Sequence, residues 1–252
     1  ILMVEMGDGR EGIAPENVDE IARHLIKLPG VTLEGIGANF ACLSGIAPTA
    51  SQMVSLCDLS NEIEGVCGPF LKTVSGGNSA NLPWALGERT TGRINDLRLG
   101  EAILLGVDPI SGDQIGGMHT DAFTLVAEII ETGEKPSPFP IALVDPSLAR
   151  LRIVPTSGAT TRLILAIGHQ DTDISGLTMP LGSILIGATS DHLVIESIRS
   201  PLKLGSEVRF QMNYSALMHA MAAPDIEIKL LDDRPARQLR HTQGKSERLT
   251  LV

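Results

Sequence analysis

The ten residues TVSGGNSANL, Thr73 to Leu82, decide how the chain is read. A short apolar run, PFLKTVS (69–75), enters a turn with two consecutive glycines, and NSANLPWAL (78–86) then begins a helical pattern. Strand, small-residue turn and helix start make the unit of a parallel β/α fold. Such a junction also holds anions, because a helix N-terminus leaves backbone N–H groups free and its dipole favours negative charge. On the residues alone, the stretch reads as well as a plain βα turn, since Gly and Ser are common turn residues.

The same unit recurs on both sides. ILMVEM (1–6) reads as a strand and GDGREG (7–12) as the loop after it. Pro15 is a good first helical position, and Val18, Ile21, Ala22, Leu25 and Ile26 then fall on one helical face until Pro29 and Gly30 stop it. A strand in VTLEGIGANF (31–40), a helix in TASQMVSLCDLSNEIEGV (49–66) and a strand in INDLRLG (94–100) complete the series. In such folds functional residues gather in loops at the C-terminal ends of the strands. Those loops here are GDGREG, NFACLSG, SGGNSAN and LGEAILLG, all rich in glycine or polar groups.

After about residue 120 the pattern changes. DAFTLVAEIIE, TRLILAIG, GSILIGA, HLVIES and SEVRFQM read as strands with no long helix between them. The expected organisation is a β/α domain over 1–120, a mostly β domain over 121–231, and a charged, solvated tail over 232–252.

A formal charge of −10 disfavours a nucleic-acid partner, which needs a basic face. The three cysteines, Cys42, Cys57 and Cys67, show no CxxC spacing, so neither a disulfide framework nor a zinc site is indicated. A reducing cytoplasm is the expected compartment, with no apolar run of membrane-spanning length and no signal-peptide pattern. The chain opens inside an apolar run, ILMVEMGD, which leads us to expect an upstream part.

Taken in order, VEMGDGREG, GIGANFAC, SGGNSA and INDLRLGEAILLG resemble the fold-type III pyridoxal-phosphate enzymes related to alanine racemase. AIGHQDTDIS, GATSDHLVIES and FQMNYSALM extend the resemblance to about residue 230 and point to the ornithine racemase branch. It implies the second half of a (β/α)8 barrel followed by a β domain. It also implies a pyridoxal 5′-phosphate cofactor, a small amino-acid substrate and a homodimer in which each β domain completes the other subunit's site. The lysine that holds the cofactor covalently would lie on the first barrel strand, upstream. Of the six lysines here, Lys72 alone lies on a barrel strand near a binding loop, where it reads as an ordinary strand residue.

The resemblance also assigns residues. Ser79 with Asn78 would meet the cofactor phosphate, helped by the backbone of Gly100 and Glu101 and by the Tyr214 hydroxyl. Ser75 and Gly77 belong to the same cofactor-binding set. Arg98 would face the pyridine nitrogen. A guanidinium has only donors, so the nitrogen stays unprotonated and the cofactor is a weaker electron sink, which suits a racemase. On the residues alone, Arg98 also reads as a partner of Asp96. Arg10 would approach the phenolic oxygen, and Asn39 stands where relatives nearer alanine racemase carry a histidine. Racemisation needs two acid–base groups, one on each face of Cα. His169 matches the place of the second, with Asp171 and Asp173 beside it and Ser190 and Asp191 in a loop over the partner's site. Asp171 and Asp191 are taken with His169 as the catalytic set, and Ser190 as a substrate contact. The competing functions are a non-catalytic cofactor-binding protein and another reaction on the same fold, decarboxylation or aldol cleavage.

Overall fold

The computed structural model describes residues 1–68, 71–87, 90–134, 142–145, 150–153, 161–197 and 202–231, with backbone alone at 142–145 and 150–153. The expected tail, 232–252, lies outside the described residues.

The first part alternates β1 (Leu2–Val4), α1 (Val18–Leu25), β2 (Gly35–Ala38), α2 (Ala50–Cys67), β3 (Thr73–Asn78), α3 (Leu82–Ala85), β4 (Asp96–Arg98) and α4 (Glu101–Leu105). The four strands form one parallel sheet in the order of the chain. Every strand therefore ends on the same edge, and the four loops that follow are neighbours there. Val4, Ile36, Ala38 and Val74 from the strands meet Val18 and Ala22 of α1 and Met53, Leu56 and Ile63 of α2 in one buried cluster. Each large side chain so buried contributes about 1.5–3 kcal/mol. The apolar face expected on α1 holds through Leu25, whereas Ile26 lies past the last helical turn and is 40% exposed. Thr49 and Gln52 form a capping box that starts α2, and the Gln52 side chain donates 2.7 Å to the Met6 carbonyl. That bond ties the α2 entrance to the loop after β1.

The second part is antiparallel. It comprises β5 (Leu125–Gly133), β6 (Ala142–Asp145), β7 (Arg150–Ile153), β8 (Thr161–Leu165), β9 (Leu177–Thr178), β10 (Ser183–Ala188), β11 (Leu193–Ser197) and β12 (Glu207–Met212), followed by α5 (Tyr214–Ala222). Six of these strands form a sheet in the order β10-β11-β8-β5-β12-β9, and β6 pairs with β7. β5 shows why: Leu125, Ala127 and Ile129 are buried while Val126 and Glu128 are exposed, the period of two of a half-covered sheet. FQMNYSALM is a single motif in the sequence. In the structure Asn213 divides it, ending β12 and capping α5 with a 2.9 Å bond from Ala216 N–H to its side-chain oxygen.

Candidate active site

The C-terminal edge of the parallel sheet carries a hydrogen-bonded chain of side chains that crosses all four strands. Arg10 and Glu11 follow β1, Asn39 follows β2, Ser75 lies in β3, and Asp96 and Arg98 lie in β4. Arg98 donates to the Ser75 hydroxyl, to the Asn39 side-chain oxygen and, at 3.0 Å, to the Ala38 carbonyl. Ser75 in turn donates 2.5 Å to Asp96. Arg98 thus meets Asp96 through a hydroxyl and not directly, which leaves its orientation to the sheet edge. Ser75 is fully buried and acts on the site only through Arg98. On the other side the Asn39 amide donates to Glu11, and Glu11 accepts from Arg10 Nε and, at 2.9 Å, from Arg10 Nη2. The Arg10 guanidinium holds the Glu11 carboxyl down at about 2.

Three acidic residues of this region were not singled out in the sequence. Glu5 accepts from the N–H groups of Gly7, Gly9 and Arg10, bonds that shape the GDGREG loop and lower its pKa. Asp8 is buried and accepts from Leu43 N–H (2.9 Å) and Ser44 N–H (3.2 Å). It thereby steadies the loop where Ala41 takes a φ of 60°. Glu11 joins Arg10 to Asn39. The available signal was acid at every third place, 5, 8 and 11, about one arginine in a glycine-rich stretch.

A cleft of about 610 Å³ opens beside this edge, lined by Cys42, Ser79, Arg98, Gly100, Glu101 and Tyr214 among others. The buried Ser79 hydroxyl accepts from Gly100 N–H (3.2 Å) and Ala102 N–H (3.1 Å), which joins the loop after β3 to the start of α4. Glu101 N–H, at the first position of α4, has no intrahelical acceptor. Tyr214, from the second part of the chain, places its hydroxyl 3.4 Å from where a Cβ on Gly100 would stand. The Glu101 carboxyl titrates high, first through burial and then through Asp108.

Other expected residues stand differently. Asn78 lines the cleft, and its side chain donates 2.7 Å to the Phe40 carbonyl and accepts from Ala80 N–H at 3.0 Å. Its work is to join the ends of β2 and β3. Gly77 has a φ of +112°, and a Cβ there would strike Asn81 and Phe40. Its missing side chain makes room for protein and not for an anion. Lys72 precedes β3 at its N-terminal end, is 73% exposed, and pairs with Glu34 at 2.8 Å. At a rise of about 3.3 Å per residue, six strand residues put it ~20 Å from the opposite edge.

His169, Ser190 and Asp191 come together in the second part. His169 N–H donates 2.9 Å to the Thr189 carbonyl and Gln170 N–H donates 3.1 Å to the Ser190 carbonyl, so two loops are pinned to each other. A Cβ on Gly168 would strike the Ser190 carbonyl. All three side chains are exposed, and none of them lines the cleft beside Arg98. Asp171, expected in the catalytic set, is buried and accepts 2.8 Å from Gly168 N–H. A carboxylate closing its own turn in this way supports the loop and does not face a substrate. Asp173 likewise accepts from the Ser175 hydroxyl (2.6 Å) and N–H (3.0 Å), and the hydroxyl bond is the first cause of its lowered pKa.

Residues 1–109 match the family model described as "Alanine racemase, N-terminal domain". The chain is 38% identical over 238 residues to ornithine racemase from Acetoanaerobium sticklandii, covering 92% of this chain and 67% of that enzyme. It is 39% identical over 233 residues to lysine racemase from Thermotoga maritima, covering 90% and 64%. Among solved structures, alanine racemase from Pseudomonas aeruginosa superposes with a TM-score of 0.59 at 17% identity, covering 88% of this chain and 60% of that one. D-threonine aldolase from Filomicrobium marinum gives 0.58 at 13% identity, covering 87% and 56%. The chain therefore spans about two thirds of the length of these relatives. Among the described residues, no helix is long and apolar enough to cross a membrane.

Proposed function

Because the chain belongs to the alanine racemase-like, fold-type III family of pyridoxal 5′-phosphate enzymes, we propose that its protein is an amino-acid racemase acting on ornithine or a similar basic amino acid. The observation that carries this reading is Arg98, presented to the cleft from β4 by bonds to Ala38, Asn39 and Ser75. The cleft suits the cofactor by its donors. The Ser79 and Tyr214 hydroxyls and the free N–H at the start of α4 would take the phosphate, and Arg98 would take the ring nitrogen. Among the described residues lining the cleft, Glu101 is the one acidic group, and burial favours its neutral form. When bound, the cofactor supplies an electron sink that acidifies the Cα–H bond of an amino acid.

The rest falls to side chains of the chain itself. Arg98 gives a hydrogen bond without giving up a proton, which keeps the electron sink moderate and favours return of a proton at Cα over side reactions. The His169 imidazole exchanges the proton on one face of Cα, and a lysine outside this chain serves the other. Ser190 and Asp191 contact the substrate from the neighbouring loop. Since these three stand apart from the cleft of their own chain, they serve a second copy in a homodimer. For the far amine of the substrate, Asp171 and Asp173 are committed to their own turns, whereas Asp121 lines a second cleft of about 750 Å³ together with Asp108 and Glu101.

Incubating the full-length holoenzyme separately with L-ornithine, L-lysine and L-alanine, with chiral chromatography of the products, tests the reading. The D-enantiomer of a basic amino acid is expected. If no D-isomer forms from any of the three and a parallel incubation with a β-hydroxy amino acid yields glycine and an aldehyde, the reading moves to the aldolase that shares the fold.

A further inference from the structure

Arg10 and Arg98, the two arginines that the family resemblance assigns to the cofactor, are joined at the sheet edge through one carboxylate and one amide, and Arg98 lines the cleft. Glu11 accepts from Arg10 through both of its oxygens, and its Oε1 also accepts from the Asn39 amide. The far side of that amide, the Asn39 oxygen, accepts from Arg98. An amide with a carboxylate before its nitrogen and a guanidinium before its oxygen has one favourable orientation. Turning it over would set two acceptors against each other on one side and two donors on the other. Asn39 is buried, 8% exposed, so water cannot readily take either place.

We propose that Glu11 is a positioning residue that holds Arg10 directly, sets the direction of Asn39 and, through Asn39, sets the aim of Arg98 toward the cofactor. The charged groups around it are few and named. Arg10 lies against it, with Nη1 2.9 Å from the Cys42 sulfur and Nε 3.8 Å from the buried Asp8. Arg98 lies one amide away, with Asp96 behind Ser75. Among the described residues, Glu11 is the carboxylate bonded to both Arg10 and Asn39, and its loss would leave two guanidiniums less balanced at the sheet edge. A proton held on the cofactor nearby would then leave more easily. The inference rests on the family's cofactor and is indifferent to which amino acid is the substrate.

The test uses the full-length protein with Glu11→Gln and Glu11→Asp. The visible absorbance of the bound cofactor is followed against pH, and the apoprotein is titrated with pyridoxal phosphate for its Kd. Glu11→Gln is expected to move the absorbance midpoint to lower pH by about one unit and to weaken Kd about tenfold, with Glu11→Asp recovering part of both. The unfolding midpoint of the apoprotein should barely move, because the Glu11 side chain is 41% exposed. If Glu11→Gln does not fold, Glu11→Asp decides by the same two readouts. A folded variant with wild-type midpoint and Kd overturns the proposal, even if its racemase rate has fallen. Failure of the wild type to racemise any amino acid would strike the substrate reading and leave these two readouts standing.

Discussion

The edge of the parallel sheet and the paired loops of the β domain are both built from polar residues after strands, yet they are finished to different degrees. At the sheet edge the key polar side chains already have partners: Arg98 has Ser75, Asn39 and Ala38, and Ser79 has the N–H groups of Gly100 and Ala102 at the start of α4. In the loops the backbone is fixed by the bonds of His169 and Gln170 to Thr189 and Ser190, while the side chains of His169 and Asp191 stay in solvent. The first region is organised by its own chain. The second is organised chiefly through its backbone, with the Ser190 hydroxyl donating 3.2 Å to Asp191 and the His169 side chain exposed. On the proposed reading, a second copy of the chain would complete the site at these loops.

The difference can be broken by substitution. His169→Ala should lower kcat by about 10²–10⁴-fold and remove one limb of the pH–rate profile, with the unfolding midpoint unchanged. An equal loss of stability would mean that the loops are structural. At the sheet edge the order reverses, and stability goes first. Gly77→Ala puts a Cβ into Asn81 and Phe40 at a φ of +112°, and urea unfolding should show a loss of about 2–4 kcal/mol.

The comparison also separates what the chain makes legible from what it hides. Four βα units and the switch to strands after residue 120 could be read from apolar period and turn residues, because one element's period is a local property. Arg98, Ser79 and Tyr214 were legible only through motif resemblance, and the structure brings all three to one cleft. Asp171 sits in such a motif but is turned inward, since a motif marks a position and not the direction of its side chain. Glu11 and Asp8 escaped notice because their partners, Asn39 and the Leu43–Ser44 backbone, lie about thirty residues away and meet them only when β1 and β2 pair.

Smaller effects sharpen the contrast. Arg93 binds Glu64 at 2.8 and 2.9 Å and lowers its pKa, so Glu64→Gln should cost about 1–3 kcal/mol at neutral pH. A depressed pKa gives stability that is complete above the ordinary value of 4.5 and is lost as pH falls through the folded value. The gap between wild type and variant should therefore close on acidification, in urea melts repeated from pH 7 downward. A gap independent of pH would deny the ion pair. Asn213→Ala removes the cap of α5 and should cost about 1 kcal/mol. It should also weaken pyridoxal-phosphate binding slightly, because Tyr214 follows the cap; unchanged binding would detach Tyr214 from the phosphate.

The most direct measurement mixes two inactive full-length variants, Arg98→Leu and His169→Ala, after dissociation and reassociation. If the sheet edge of one copy works with the loop of the other, half of the mixed dimers' sites carry neither substitution. About a quarter of wild-type racemase activity should then return. If each variant is inactive alone and no activity returns on mixing, although mixed dimers form, the edge and the loop serve the same chain and the shared-site account is wrong.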